Sequence, residues 1–212
     1  EIAEKLALAP HTHGAAMGSA SIFREDMLAR DSGLISFLYR EKGFANVKVA
    51  EPVVELDSDQ RYVRITHSIE EGVRFKVRSI SVSGDVGGEL ISEDELKKKM
   101  QIHSEDVFSV TKFNNDIEML VDAYGNQGYA YVDVNPIPSF DENSRYVDIR
   151  YDINKGEKVY FGNIEIRGNT KTRDNVIRRE LRVHESEKYR GTDLTKSRAN
   201  INRLGFFEQV QI

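Results

Sequence analysis

The sequence predicts an α+β protein built as a tandem array, each copy running strand–helix–helix–strand–strand with two helices packed on a three-stranded sheet. Three observations predict it. Residues 61–84 (RYVRITHSIEEGVRFKVRSISVSG) realign without a gap on residues 145–168 (RYVDIRYDINKGEKVYFGNIEIRG), with eight of 24 positions identical. Apolar and polar residues alternate through both segments, the period of a half-buried strand. The stretches between them carry apolar residues three or four apart, the spacing of one helix face.

The repeat defines the copies. Its identities are Arg61/Arg145, Tyr62/Tyr146, Val63/Val147, Ile65/Ile149, Ile69/Ile153, Gly72/Gly156, Ile80/Ile164 and Gly84/Gly168. Upstream, residues 23–49 follow residues 108–134 at an offset of 85, sharing Phe23/Phe108, Asp31/Asp116, Tyr39/Tyr124, Gly43/Gly128 and Val47/Val132. A third copy begins near Val159, with Leu194 opposite Phe113 and Gly205 in the place of Gly128. The expected domains are therefore 1–71 (first strand missing), 72–154 (complete) and 155–212 (its C-terminal part missing).

The middle copy can be read element by element. Phe75 to Ser83 alternates as a strand, with a slip between Val77 and Ile80, and stops at Gly84. Ser92 followed by acids, with lysines at the far end, fits a short helix over 92–101. Phe113, Ile117, Leu120, Val121 and Tyr124 line one face of a longer helix over 111–126, with Gly125 and Gly128 as closing glycines. The strand that follows contains Pro136 and Pro138, which cannot donate ladder hydrogen bonds and belong at a sheet edge. A polar turn at 141–144 leads to the last strand, Arg145 to Asn154. Copy one begins at its first helix, Glu1–Leu8, and its inter-helix loop holds a small-residue insertion at 9–21, for which a natural loop and a cloning remnant both fit. Copy three stops at Ile212, just inside its fourth element.

Composition narrows the function. The 212 residues carry a net charge of −5, against the basic balance of a nucleic-acid binder. The charge is uneven, at +5 over residues 155–212 and −10 over the rest. With no cysteine, disulfides, thiolate metal sites and cysteine nucleophiles are excluded. No apolar run reaches the length of a membrane-spanning helix. No P-loop or dinucleotide-binding glycine motif occurs, since GDVGG at 84–88 lacks the lysine and hydroxyl residue. His11 and His13 form a pair without a third ligand, and His67, His103 and His184 fall in different copies, so no metal or cofactor is expected. Asp141 and Glu142 sit in a turn, where acids are ordinary, and nothing suggests an enzyme. An RNA-binding KH module packs similar elements, but its G-x-x-G clamp joins the two helices. Here those loops read HSEDV (103–107) and HESEK (184–188), acidic and glycine-free.

The copies close their first strand in I-x-I-x-G-N (Ile164, Ile166, Gly168, Asn169) and their second helix in Y-x-x-x-G-Y/F (Tyr39 to Phe44, Tyr124 to Tyr129). As a set these features resemble POTRA domains. The third copy, with NTKTRDNVIRRELRV and NRLGFF, looks most like the last POTRA before the barrel in BamA-type proteins. The resemblance implies the periplasmic arm of a Gram-negative outer-membrane protein, with a C-terminal β-barrel beyond it. It implies accessory assembly lipoproteins and unfolded outer-membrane proteins as partners, and no nucleic acid. The related arms of two-partner secretion and translocation-assembly barrels are the alternative within the family.

Physical reasoning supplies candidate residues. A three-stranded sheet has edges whose unpaired N–H and C=O groups can accept an extended peptide with little sequence preference. The fourth elements provide them, so Val47, Val49, Tyr131, Val132 and Val134 are the candidate peptide-binding edge. Edge prolines that merely block aggregation fit the same pattern. Gly72 and Gly156, in the short links between copies, are candidate hinges of a semi-rigid arm. The excess positive charge of copy three places Arg178, Arg179, Arg182, Arg190, Arg198 and Arg203 toward an anionic membrane surface or barrel rim, or simply on a solvated helix face.

Overall fold

The computed structural model describes residues 25–58 and 63–212. The expected helix Glu1–Leu8, the 9–21 insertion and the His11/His13 pair lie outside the described residues. The chain divides into two compact units, one of residues 1–80, 101–114 and 138–149, the other of 81–100, 115–137 and 150–212.

In the first unit, α1 (Glu25–Glu41) buries Ile35 and Asp31. Two short antiparallel ladders follow. Strand β1 (Lys48–Val49) pairs with β4 (Ile69–Glu70), and β2 (Val53–Leu56) with β3 (Val63–Thr66). Val49 lies opposite Ile69 and Val53 opposite Thr66, so the register slips by one residue around Pro52, which cannot donate to a ladder. The fourth element of copy one, which holds Val47 and Val49, is thus broken in two.

The middle copy has one sheet, ordered β5-β7-β6, from β5 (Lys76–Gly84), β6 (Asp133–Asp141) and β7 (Tyr146–Asn154). The Lys76 N–H donates to Arg145 O at 3.0 Å, and the Asp85 N–H to Ile153 O at 2.9 Å. Strand β5 therefore runs parallel to β7, and takes one residue more than β7 to cover the same length. The extra residue is a bulge, which leaves consecutive side chains on one side of the strand. Arg78 and Ser79 accordingly both reach the Asp148 carboxylate, which is held below the usual range by these two donors. This bulge is the slip visible in the alternation between Val77 and Ile80. The β6–β7 turn closes on Asp141, whose Oδ1 accepts from the Asn143 and Ser144 amides at 3.1 and 3.3 Å.

The helices of the middle copy are α2 (Glu93–Lys99) and α3 (Val110–Gly125). Helix α2 starts in a capping box, the Ser92 hydroxyl accepting from the Glu95 amide while Glu95 reaches back to the Ser92 amide. Within the first unit, Phe140 bridges two core rings, with centroids 4.9 Å from Phe75 and 5.8 Å from Phe108. Within the second unit, Leu96, Leu120, Tyr124 and Tyr151 are fully buried. The Tyr124 hydroxyl donates to Asp85 O at 2.7 Å, and burial raises the pKa of both tyrosines.

The third copy contributes α4 (Asp174–Arg178) and α5 (Gly191–Arg203), which bury Ile177 and Ile201. The Ser197 hydroxyl ties the two helical segments, accepting from the Arg182 amide at 2.8 Å and donating to Asp193 O at 2.6 Å. The strand expected from Val159 to Gly168 is not formed, apart from a single bridge between Tyr160 and Lys188. Nor do residues 206–212 form the expected fourth element. The cause is the ladder itself. In the middle copy β5 is held by β7, whereas the described residues of the third copy include no counterpart of β7. The apolar side chains of Phe161, Ile164, Ile177, Leu181, Leu194 and Ile201 consequently line an open cavity of about 480 Å³.

Truncating the center of β7, Ile149→Ala, is expected to cost about 2–5 kcal/mol in urea unfolding, because the site is 1% exposed. Ser92→Ala, which removes only the cap of α2, should cost about 1 kcal/mol.

Candidate strand-docking edge

The sheet order leaves β5 and β6 at the two edges of the middle sheet. They differ in what lies beside them. The outer edge of β5 is closed by the loop between the helices. The Val77 N–H donates to Asp106 O (2.8 Å), the Glu105 N–H to Val77 O (2.7 Å) and the Phe108 N–H to Phe75 O (3.1 Å). Farther along, the Val82 N–H donates to the Glu93 carboxylate at 3.1 Å. Glu105 adopts a left-handed backbone (φ 70°) to make this loop follow the strand. Among the described residues no strand pairs with the outer side of β6, so it is the open edge.

The prolines determine what this edge offers. A proline leaves a ladder intact only where its missing N–H would have faced away from the neighboring strand. That places Pro136 and Pro138 outward, together with Val134 and Phe140 in the same phase of β6. The open edge then keeps carbonyl acceptors along its length but amide donors only toward its ends. Val132 does not extend the donor row, since its N–H turns back to Tyr129 O at 3.4 Å. Tyr131, 79% exposed, stands beside the start of the edge, while Val132 is half-buried and Val134 buried. In copy one Val47 is buried, and Val49 pairs with Ile69 through β1.

The joints between copies are built on one repeated contact. Gly43 O accepts the Phe75 N–H, and Gly128 O accepts the Val159 N–H, each at 2.8 Å. Both glycines have positive φ (98° and 101°), and a Cβ on Gly43 would stand 2.8 Å from Val107 Cγ1. Side chains reinforce both joints. The Glu41 carboxylate at the end of α1 accepts from Ser109 Oγ (2.6 Å) and the Thr111 N–H (3.1 Å) at the start of α3. One repeat later, Asn126 Oδ1 accepts from Thr192 Oγ1 (2.8 Å) and the Thr192 N–H (3.2 Å) at the start of α5. The sequence reading missed this role. Its signal was the recurrence of H-x-x-x-x-[FY]-x-x-T at 103–111 and 184–192. Gly72 and Gly156 also have positive φ, each beside the backbone of a fourth element, at Asn46 and Tyr131 respectively.

The basic residues of copy three are not equivalent. Arg178 is paired with Asp174 (2.6 Å) and Glu185 (3.9 Å), Arg179 with Glu180 (3.3 Å) and Arg190 with Asp193 (3.8 Å). Arg198 reaches the Ile212 carbonyl at 3.4 Å, and Arg203 ends α5. Among the described residues no three His, Cys, Asp or Glu side chains converge as a metal site, and no helix is long and apolar enough to cross a membrane.

The geometry is that of tandem modules joined by short built contacts, with one open sheet edge in the middle copy. The POTRA family model, described as "Surface antigen variable number repeat", matches residues 1–72, 75–156 and 159–212, and the chain belongs to this family. It is similar to the outer membrane protein assembly factor BamA of Nitratidesulfovibrio vulgaris, with 30% identity over 99% of this chain and 26% of that protein. It is also similar to the BamA of Neisseria meningitidis serogroup B, with 29% identity over 89% of this chain and 24% of that protein. The chain thus spans about a quarter of the length of these relatives. The fold matches the crystal structure of Haemophilus influenzae BamA POTRA3-5 with a TM-score of 0.77, at 24% identity over 90% of this chain and 74% of that one.

Gly43→Ala should lower unfolding stability by about 1–3 kcal/mol, because the left-handed backbone and the packed joint both oppose a Cβ. Gly33→Ala, at an open site within α1, should raise it by about 0.5–1 kcal/mol. Urea unfolding of the two variants checks the opposite signs.

Proposed function

We propose that this chain is part of the periplasmic arm of an outer-membrane β-barrel assembly protein. In this reading the arm scaffolds accessory lipoproteins and binds unfolded outer-membrane proteins by strand addition, as three domains bounded at 1–71, 72–154 and 155–212. The observation that carries it is the open edge of β6, set in a chain whose relatives are assembly factors. Main-chain pairing suits clients that share only a β-strand backbone. Pairing in this reading takes place at the Tyr131–Val134 end, where Val134 offers an outward donor before Pro136 and Pro138 interrupt the row. Val47 and Val49 supply the corresponding, shorter edge in copy one. Gly72 and Gly156 serve as points of limited bending in a semi-rigid arm. Arg182, Arg198 and Arg203 are the basic groups best placed to meet an anionic lipid surface or barrel rim, with Arg178 and Arg179 muted by their carboxylate partners.

The test is an NMR titration of the isotope-labeled chain with a synthetic amphipathic β-strand peptide. A control peptide carries N-methyl groups on alternate amides, which removes its ability to pair along one edge. At about 1 mM peptide, the scale of a weak complex, amide shifts are expected along Tyr131–Val134 with the unmodified peptide and not with the control. Shifts elsewhere, or equal shifts with both peptides, would refute strand addition at β6.

A further inference from the structure

The two joints share a backbone bond but differ in the side chain that locks them. In the first, Glu41 lays a carboxylate across the start of α3, with Ser109 Oγ and the Thr111 N–H as donors. In the second, Asn126 lays a neutral amide oxygen across the start of α5, with both donors from Thr192. A helix N-terminus favors an anion, and a protonated carboxyl loses that attraction and turns one of its oxygens into a donor. An amide is unaffected by pH over the carboxylate range. We propose that the joint between the first and second copies is an acid-releasable clasp centered on Glu41, while the matching Asn126 contact between the second and third copies has no titrating acceptor.

The surroundings of Glu41 support this assignment. Lys112, one residue beyond Thr111 on α3, contributes a favorable charge, and is itself 3.1 Å from Asp106. His103 faces Asp106 at 3.9 Å. On the Glu41 side, Arg40 and Lys42 flank it in sequence, Arg74 Nε bonds Lys42 O at 2.9 Å, and the Tyr39 hydroxyl bonds Glu71 at 3.0 Å. Partial burial pushes the Glu41 pKa up, but the Ser109 and Thr111 donors and Lys112 outweigh it, and the net shift is downward. A carboxyl lowered in the folded protein stabilizes it above the ordinary glutamate range of about 4.3. That contribution is lost as the pH falls through the lower folded value. The clasp is therefore closed at neutral pH and opens in acid. In the second joint, the nearest carboxylate on α5, Asp193, pairs with Arg190 of its own copy.

The chain has no cysteine, so introduced pairs can be spin-labeled directly. One pair spans the first joint (Ala29→Cys with Asn114→Cys) and another the second (Glu118→Cys with Lys196→Cys), all at exposed helix positions and each within one unit. Pulsed dipolar spectroscopy reads each distance distribution between about pH 6.5 and about pH 3.5. The expected result is at least a doubling in width across the first joint on acidification, with the second unchanged. Glu41→Gln, which keeps the acceptor without the charge, should remove the pH dependence of the first joint. Equal broadening of both joints, no broadening of the first, or the same broadening in Glu41→Gln would each overturn the proposal.

Discussion

A carbonyl that closes the second helix of one copy accepts the amide that opens the first strand of the next. Gly43 to Phe75 and Gly128 to Val159 make this bond at the same length. Glycine takes the positive φ at that point without steric cost, and at Gly43 a side chain would meet Val107 and the Phe75 carbonyl. The rest of each joint follows from this bond. With Phe75 fixed, the inter-helix loop can pair with the same strand through Val77 and Phe108. The helix that follows the loop then starts against Glu41. The same order recurs through Val159, Phe161, Tyr189 and Asn126. Each joint is internal to one compact unit, and the line between the units runs through the middle copy.

The joints also decide which sheet edge is available. By drawing the loop 105–108 onto β5, the fold closes that edge with its own backbone. Unpaired edges are a hazard in an isolated sheet, and covering one is a common remedy. The opposite edge is left open but fitted with Pro136 and Pro138, which limit pairing without abolishing it. In the function proposed above, this edge takes a short strand and releases it rather than forming a permanent interface. The ion pairs on the sheet surface, such as Arg78 with Asp148, are exposed and contribute little to stability.

Much of the fold was legible in the sequence because its signals are local or periodic. The repeat at 84–85 residues, the N-cap at Ser92 and the facing residues Leu120 and Tyr124 all appear within one element or between copies. Even the bulge showed, as a phase slip between Val77 and Ile80. The features that were not legible depend on long-range pairing. Nothing within residues 159–168 says that their strand fails without a β7-type partner. The closure of β5 likewise needs hydrogen bonds between residues some 30 positions apart, as from Val77 to Asp106. Of the candidate residues, Val134 lies within β6 while Tyr131 and Val132 precede it, and the turning of the Val132 amide to Tyr129 was invisible. Arg178 and Arg179 looked like free charges because their partners, Asp174 and Glu180, are also ordinary surface residues.

The joints are structural elements of the fold rather than linkers. Native-state hydrogen exchange at the Phe75 and Val159 amides checks this, with Val77 and Leu120 as core references. If the joints are part of the packed structure, both amides will exchange only through openings within about 1–2 kcal/mol of those of the core amides. Exchange at the rate of an exposed loop, with the core still protected, would show that the copies are loosely strung and would contradict the account.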